Sequence, residues 1–258
     1  MSEGRRRRSV LWAAYEHLAM HLGLGALAAL CLAWLPFAML LHPLLPASTG
    51  QWLGRQVIMR GFRAYLRILT ALCACRFDLD ALDALRHQGP LIVAANHPSL
   101  LDAVLIISRL PNAVCVMKAS LMDNLLFGSA ARLARYIRND GAMQIIGQSR
   151  DSLASGAQLV IFPEGTRTTA FPIDRFTPTL GMIARRAEAP VQTVILEFST
   201  PYLGKAWPLF RRPVLPLHVR ARLGRRFDAP TDHAAFTREL DAHFRSEIAM
   251  PAPDTHDH

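Results

Sequence analysis

His97 and Asp102 stand five residues apart, directly after the apolar run Leu91-Ile92-Val93-Ala94-Ala95. A strand that closes on a histidine and reopens as a helix presents the imidazole at a sheet edge, where ligands of open α/β folds bind. Imidazole moves protons near neutral pH, and a carboxylate beside it fixes the tautomer and stabilises the imidazolium that forms. Ser99-Leu100-Leu101-Asp102 has the form of a capping box, with Ser99 as N-cap and Asp102 at the third helical position. The positive helix end is expected to keep Asp102 ionised. The blander alternative is that Asp102 only caps the helix and His97 only turns the chain. A second segment, Phe162-Pro163-Glu164-Gly165-Thr166-Arg167, also follows an apolar run and carries an acid, a glycine and an arginine. Two strand-end segments of this kind point to an enzyme. A serine hydrolase built on Ser99 is disfavoured, because Ser99 is only two residues from His97 and no G-x-S-x-G elbow exists.

The elements that must position these residues read as alternating strands and helices. Strands are expected at 75–79, 91–95, 113–117, 158–162, 191–198 and 214–223, and helices at 100–109, 121–135, 144–155, 179–187 and 233–250. That alternation predicts an α/β fold, a central mostly parallel sheet flanked by helices, preceded by an N-terminal membrane-anchoring helical segment. Residues 1–73 form that anchor, 74–250 the α/β domain and 251–258 a frayed tail.

No Asp, Glu, Lys or Arg occurs from His17 to Leu53. The Leu/Ala-rich part, residues 22–45, is long enough to cross a bilayer core of about 30 Å. Arg5-Arg6-Arg7-Arg8 precedes it and favours a cytoplasmic N-terminus. Pro36 predicts a kink or a turn, so a re-entrant hairpin competes with a simple span. A cleaved export signal is disfavoured, since Glu16, His17 and His21 interrupt the approach to the apolar run. Residues 51–73 then read as a basic amphipathic helix. Arg55, Arg60, Arg63 and Arg67 fall on one arc, either on lipid phosphates or on the protein's own surface. A second basic concentration runs from Arg211 to Arg226 along an alternating strand, either a membrane contact or a charged edge.

The net charge is +9. No zinc-finger spacing or ribonucleoprotein sequence accompanies it, so the expected anionic partner is a membrane surface or substrate, not nucleic acid. Cys31, Cys73, Cys75 and Cys115 include one C-x-C without a second pair, so a metal site is not expected and the thiols read as reduced.

Asn96-His97-Pro98-Ser99-Leu100-Leu101-Asp102 fits N-H-x-x-x-x-D, and Phe162 to Arg167 fits F-P-E-G-T-R in full. In this order, with Lys118 and Arg138 between them and an apolar segment in front, the pair resembles the glycerolipid acyltransferase family that includes lysophosphatidate acyltransferase. The resemblance covers roughly residues 75–223. It implies a membrane-associated O-acyltransferase with His97 as general base and Asp102 orienting it, and no acyl-enzyme. The acceptor would be a lysolipid, foremost 1-acyl-glycerol-3-phosphate giving phosphatidic acid. The co-substrate would be acyl carrier protein or coenzyme A thioester, with no further cofactor and no metal. The site would face the cytosol from the cytoplasmic membrane. Arg167, with Arg138 as a weaker candidate, would hold the acceptor's phosphate through its guanidinium fork. Gly165 would allow close backbone approach, with Thr166 beside it. Glu164 would orient Arg167 or hydrogen-bond an acceptor hydroxyl. Lys118 is either part of the site or a solvated strand end.

The chain departs from the family pattern in three places: no aspartate precedes Arg138, Phe176-Thr177-Pro178-Thr179 replaces a basic F-K-x-G stretch, and only Pro190 remains of V-P-x-x-P. A different lysolipid acceptor, such as a lyso-aminolipid, and a catalytically silent membrane-binding module are the alternatives.

Overall fold

The structure is a computed structural model, and it describes residues 10–208 and 210–249. The Arg5–Arg8 run and the tail 251–258 lie outside the described residues. A seven-stranded sheet has the order β1-β7-β6-β2-β5-β3-β4. Its strands are β1 (Cys75–Asp78), β2 (Leu91–Ala95), β3 (Ala113–Lys118), β4 (Ile137–Asn139), β5 (Gln158–Ile161), β6 (Val191–Phe198) and β7 (Leu217–Phe227). All neighbours are parallel except the β6/β7 pair. The helices are α1 (Val10–Leu44), α2 (Ala47–Leu72), α3 (Asp102–Ile107), α4 (Ala119–Asp123), α5 (Leu125–Leu133), α6 (Ala142–Ala154), α7 (Thr179–Ala187) and α8 (His233–Ala249).

β2 shows why its run is apolar throughout. All five of its residues are buried, as in parallel strands covered on both faces. Leu91, Val93 and Ala95 join one core with Tyr65, Leu66 and Leu69 of α2 and Leu105 of α3. Ile92 and Ala94 point the other way, into a core with Ile145 of α6, Ile183 of α7 and Phe244 of α8. The period of two along a strand divides these residues between the layers.

Several expectations are corrected. Residues 121–135 are not one helix: Asn124 adopts extended backbone and its side chain accepts from the Leu126 and Phe127 N–H groups, starting α5 anew. Asparagine favours such a cap over a helix interior. β4, only three residues long, was not expected, and the final strand runs 217–227 instead of 214–223. Regular helix begins at Asp102, not Leu100. Pro36 does not break α1, which continues through both Pro36 and Pro43. The chain instead reverses at Leu45-Pro46 and returns as α2.

α2 is built into the body. Gly54 lies against the backbone of Ala134, and a Cβ there would sit 2.6 Å from its nitrogen. Arg55 is buried and donates to Asn112 Oδ1 (2.7 Å) and Ala134 O (3.4 Å). Arg63 donates to Ser108 O at 3.1 and 3.3 Å. Two of the four arginines on the basic arc thus serve the fold, while Arg60 and Arg67 remain exposed.

Candidate active site

β2 and β5 are adjacent and parallel, with Ala94 opposite Ile161. Their C-terminal ends therefore open side by side, and the two motifs leave the sheet as neighbours. The His97 Nδ1 lies 2.8 Å from Asp102 Oδ2. The same oxygen accepts the Ser99 N–H at 2.8 Å, and Ser99 Oγ accepts the Leu101 N–H at 3.1 Å. These are capping-box bonds, drawn into a turn that ends where the helix starts. Asp102 is fully buried, whereas the His97 side chain is 17% exposed. With Nδ1 committed to Asp102, Nε2 is the nitrogen free to meet a substrate. Ser99 is buried and its Oγ accepts a bond within the turn, which argues against Ser99 itself as a nucleophile.

The expected helix-end effect does not dominate Asp102. Burial pushes its carboxyl up, to about 6, while the hydrogen bond and charge of His97 and the Ser99 N–H pull it down. α3 is only six residues long, and desolvation outweighs what so short a helix offers. Above pH 6 the carboxylate is ionised and holds the Nδ1–H tautomer.

Glu164 joins the two strand ends. Its side chain is buried. Oε1 accepts the His97 N–H (3.0 Å) and the Thr168 hydroxyl (2.9 Å), and Oε2 accepts the Asp174 N–H (2.9 Å). The Thr168 N–H returns a bond to His97 O at 2.8 Å. Glu164 thus braces the two strand ends, and its carboxylate bonds His97, Thr168 and Asp174, not Arg167. Gly165 has φ +71°, a left-handed conformation glycine adopts without strain, while its missing Cβ would meet only ordinary contact at 3.5 Å. Conformation, not close approach, therefore explains this glycine. Thr166 beside it is exposed.

Arg167 Nη1 donates to Leu203 O (2.9 Å) and Gly204 O (2.8 Å). Leu203 O also accepts the Leu100 N–H at 3.0 Å. Arg167 thereby ties the β6–β7 connection to the turn that follows His97. Its Nε and Nη2 bond no described residue. Arg138 is elsewhere. It sits on β4, the outer strand, three strand spacings or about 14 Å from β2. There it pairs with Asp123 (Nη2–Oδ2 2.9 Å, with a second bond from Nη1) and with Asp140 (2.7 Å). The aspartate absent before Arg138 has these two in its place. Lys118 is exposed at the end of β3. Phe176, which opens the segment that replaces the family's basic stretch, is buried against Phe244 with ring centroids 5.4 Å apart.

The basic strand β7 is largely neutralised within the protein. Arg220 lies 3.4 Å from Asp78, Arg225 2.8 Å from Glu239, and Arg222 bonds Glu197 (2.8 Å) and Glu247. The four thiols are free, and burial pushes those of Cys75 and Cys115 up to about 12, which leaves them unreactive. The described residues contain no group of His, Cys, Asp and Glu able to hold a metal. Sequence reasoning missed Thr168, Asp174 and the Leu203 and Gly204 carbonyls. Only Thr168, next to Arg167, lay near a sequence signal; the others reach the site through the fold.

Residues 76–197 match the acyltransferase family model. The chain is 29% identical over 168 residues to the lysophosphatidylcholine acyltransferase of Drosophila melanogaster, covering 58% of this chain and 30% of that protein. It is 26% identical to the 1-acyl-sn-glycerol-3-phosphate acyltransferase of Helicobacter pylori, over 48% of this chain and 57% of the relative. The corresponding Pseudomonas aeruginosa protein is 23% identical over 70% of each chain. The fold resembles the 1-acyl-sn-glycerophosphate acyltransferase PlsC of Thermotoga maritima, with TM-score 0.68, 18% identity, and coverage of 90% of this chain and 96% of that one. The chain thus spans under a third of the fly relative and somewhat over half of the Helicobacter one. Both strand-end motifs lie inside the residues that match the acyltransferase family model, and the sheet and helices around them follow the fold of a solved acyltransferase.

Proposed function

We propose that this protein is a membrane-bound O-acyltransferase that moves a fatty acyl group from an acyl carrier protein or coenzyme A thioester to the free hydroxyl of a lysolipid. The acceptor is 1-acyl-glycerol-3-phosphate and the product phosphatidic acid. The observation that carries this reading is the 2.8 Å bond between His97 and a fully buried Asp102, placed beside the Arg167 loop. His97 Nε2 takes the hydroxyl proton as the oxygen attacks the thioester carbonyl. The carbon–sulfur bond then breaks, and the leaving thiolate takes the proton from the imidazolium. Asp102 holds the tautomer and balances the cation. Positioned proton transfer of this kind supplies about 10²–10⁴-fold in rate. Arg167 meets the acceptor's phosphate with Nε and Nη2, while Nη1 keeps its carbonyl partners. The Helicobacter and Pseudomonas names support the phosphate-bearing acceptor.

α1 supports the membrane. It is long and apolar enough to cross a bilayer, and hardly any of its most apolar stretch is buried. At its start, buried Glu16 accepts the Leu215 N–H (3.2 Å) and lies 3.6 Å from Arg212. At its end the chain turns back into α2, which rests on the body. Both ends of the hairpin are therefore held by the same domain, which favours insertion from the cytosolic face of the cytoplasmic membrane, with no crossing. A site kept at that interface meets lipid from one side and soluble donor from the other.

The test is acyl transfer by the purified protein, with lysophosphatidate, lysophosphatidylcholine and a lyso-aminolipid as acceptors and both thioesters as donors. Lysophosphatidate is expected to turn over fastest, and His97→Ala to abolish turnover while vesicle binding persists. No transfer between any pair would refute the activity. Faster turnover of another lysolipid would refute the acceptor.

A further inference from the structure

We infer that Phe162 is a positioning residue for His97, stacked on the imidazole so that Nε2 is held in the plane from which it meets the acceptor hydroxyl. This rests on the reading of His97 as the base. The two ring centroids are 3.9 Å apart and the planes differ by 13°. No other aromatic pair among the described residues lies as close or as parallel.

Four contacts then fix three different freedoms. The Glu164 carboxylate and the Thr168 N–H hold the His97 backbone. The Asp102 bond holds Nδ1. A single hydrogen bond is a pivot, however, and the ring can still tilt about it. A flat face packed at van der Waals distance removes that tilt. Phe162 is well sited for this role because it leaves β5 one residue after Ile161, beside the end of β2. The stack also discriminates between charge states. When Nε2 takes its proton, the imidazolium faces the electron-rich side of the Phe162 ring, and such a cation–π contact is stronger than the neutral stack. An interaction that strengthens as charge develops lowers the barrier and not merely the ground state. The charged groups bonded to His97 are Asp102, at Nδ1, and Glu164, at the backbone N–H, while the ring stacks on Phe162.

The experiment compares Phe162→Leu, Phe162→Met and Phe162→Tyr with the wild type. Leucine and methionine keep much of the apolar volume and lose the flat face; tyrosine keeps it. Phe162→Leu is expected to lower kcat about 2–10-fold, the range an aromatic pair contributes, with acceptor KM within about twofold. Phe162→Tyr is expected to recover most of that loss. In NMR spectra of histidine-labelled protein, assigned by loss in His97→Gln, the His97 ring protons are expected upfield in the wild type and Phe162→Tyr and displaced from there in Phe162→Leu. Wild-type kcat in Phe162→Leu, or no upfield displacement in the wild type, would overturn the inference. If Phe162→Leu does not fold, kcat and spectrum of Phe162→Met decide by the same criteria. Absence of acyl transfer by the wild type, with the ring protons upfield, would sink the reaction and leave the stack. Unchanged kcat in the variants would do the reverse.

Discussion

Glu164→Gln separates a strut from a substrate contact. The carboxylate accepts three hydrogen bonds, from the His97 N–H, the Thr168 hydroxyl and the Asp174 N–H, at 2.9–3.0 Å. Glutamine has one acceptor oxygen and one amino group. Its best orientation keeps the oxygen toward His97 and Thr168 and turns the amino group toward the Asp174 N–H, donor against donor. One charge-assisted bond is lost, worth about 1.5–3 kcal/mol, and two are weakened as their acceptor becomes neutral. Relief from burying a charge offsets part of this. The net expectation is a loss of about 2–3 kcal/mol, which for a chain of this size lowers Tm by roughly 5–10 °C. Thermal unfolding in detergent, followed by circular dichroism, measures it. Because the His97 N–H keeps its acceptor, kcat is expected to fall less than tenfold, and acceptor KM to hold. A Tm within 1 °C of the wild type, combined with a large rise in acceptor KM, would refute the strut and make Glu164 a substrate ligand.

Further outcomes follow from the same geometry. Asp102→Asn replaces the acceptor of the Nδ1–H and is expected to lower kcat by about 100-fold or more, with vesicle binding unchanged; a loss under threefold would remove Asp102 from the mechanism. Burial raises the Asp102 carboxyl from 3.8 to about 6, so kcat/KM is expected to fall as pH drops through 6. The same shift means the folded protein holds this proton more tightly than the unfolded chain. Its contribution to stability is therefore fully present below about pH 4 and is lost as pH rises through 6, which pH-dependent denaturant midpoints of the wild type against Asp102→Asn would read. Gly165→Ala forces φ +71° on a residue with a Cβ and is expected to cost about 1–2 kcal/mol in a urea titration, without a clash. Arg167→Lys loses the fork and is expected to raise KM for lysophosphatidate more than for a zwitterionic lysolipid; equal effects on both would place the phosphate elsewhere.

Local pattern alone determined a good part of this protein. β2, β6 and α7 occupy the residues that apolar runs and helical spacing predict, because burial on both sheet faces or on one helix face writes its period into neighbouring positions. The ends of β2 and β5 were legible for the same reason, and with them His97, Asp102 and the Phe162–Arg167 segment. What the sequence could not carry was who faces whom across the chain. β4 is too short to show a period, so Arg138 had no strand to stand on until Met117 paired beside it. Charge patterns on α2 and β7 left lipid contact and the protein's own surface as alternatives, and there Arg55 found Asn112, and Arg222 found Glu197 and Glu247. Glu164 reaches His97 across 67 residues, and Phe162 reaches the same imidazole from the neighbouring strand. A carboxylate, an arginine or a phenylalanine has the same letter whether it meets solvent, substrate or protein. Only packing in three dimensions assigns its partner.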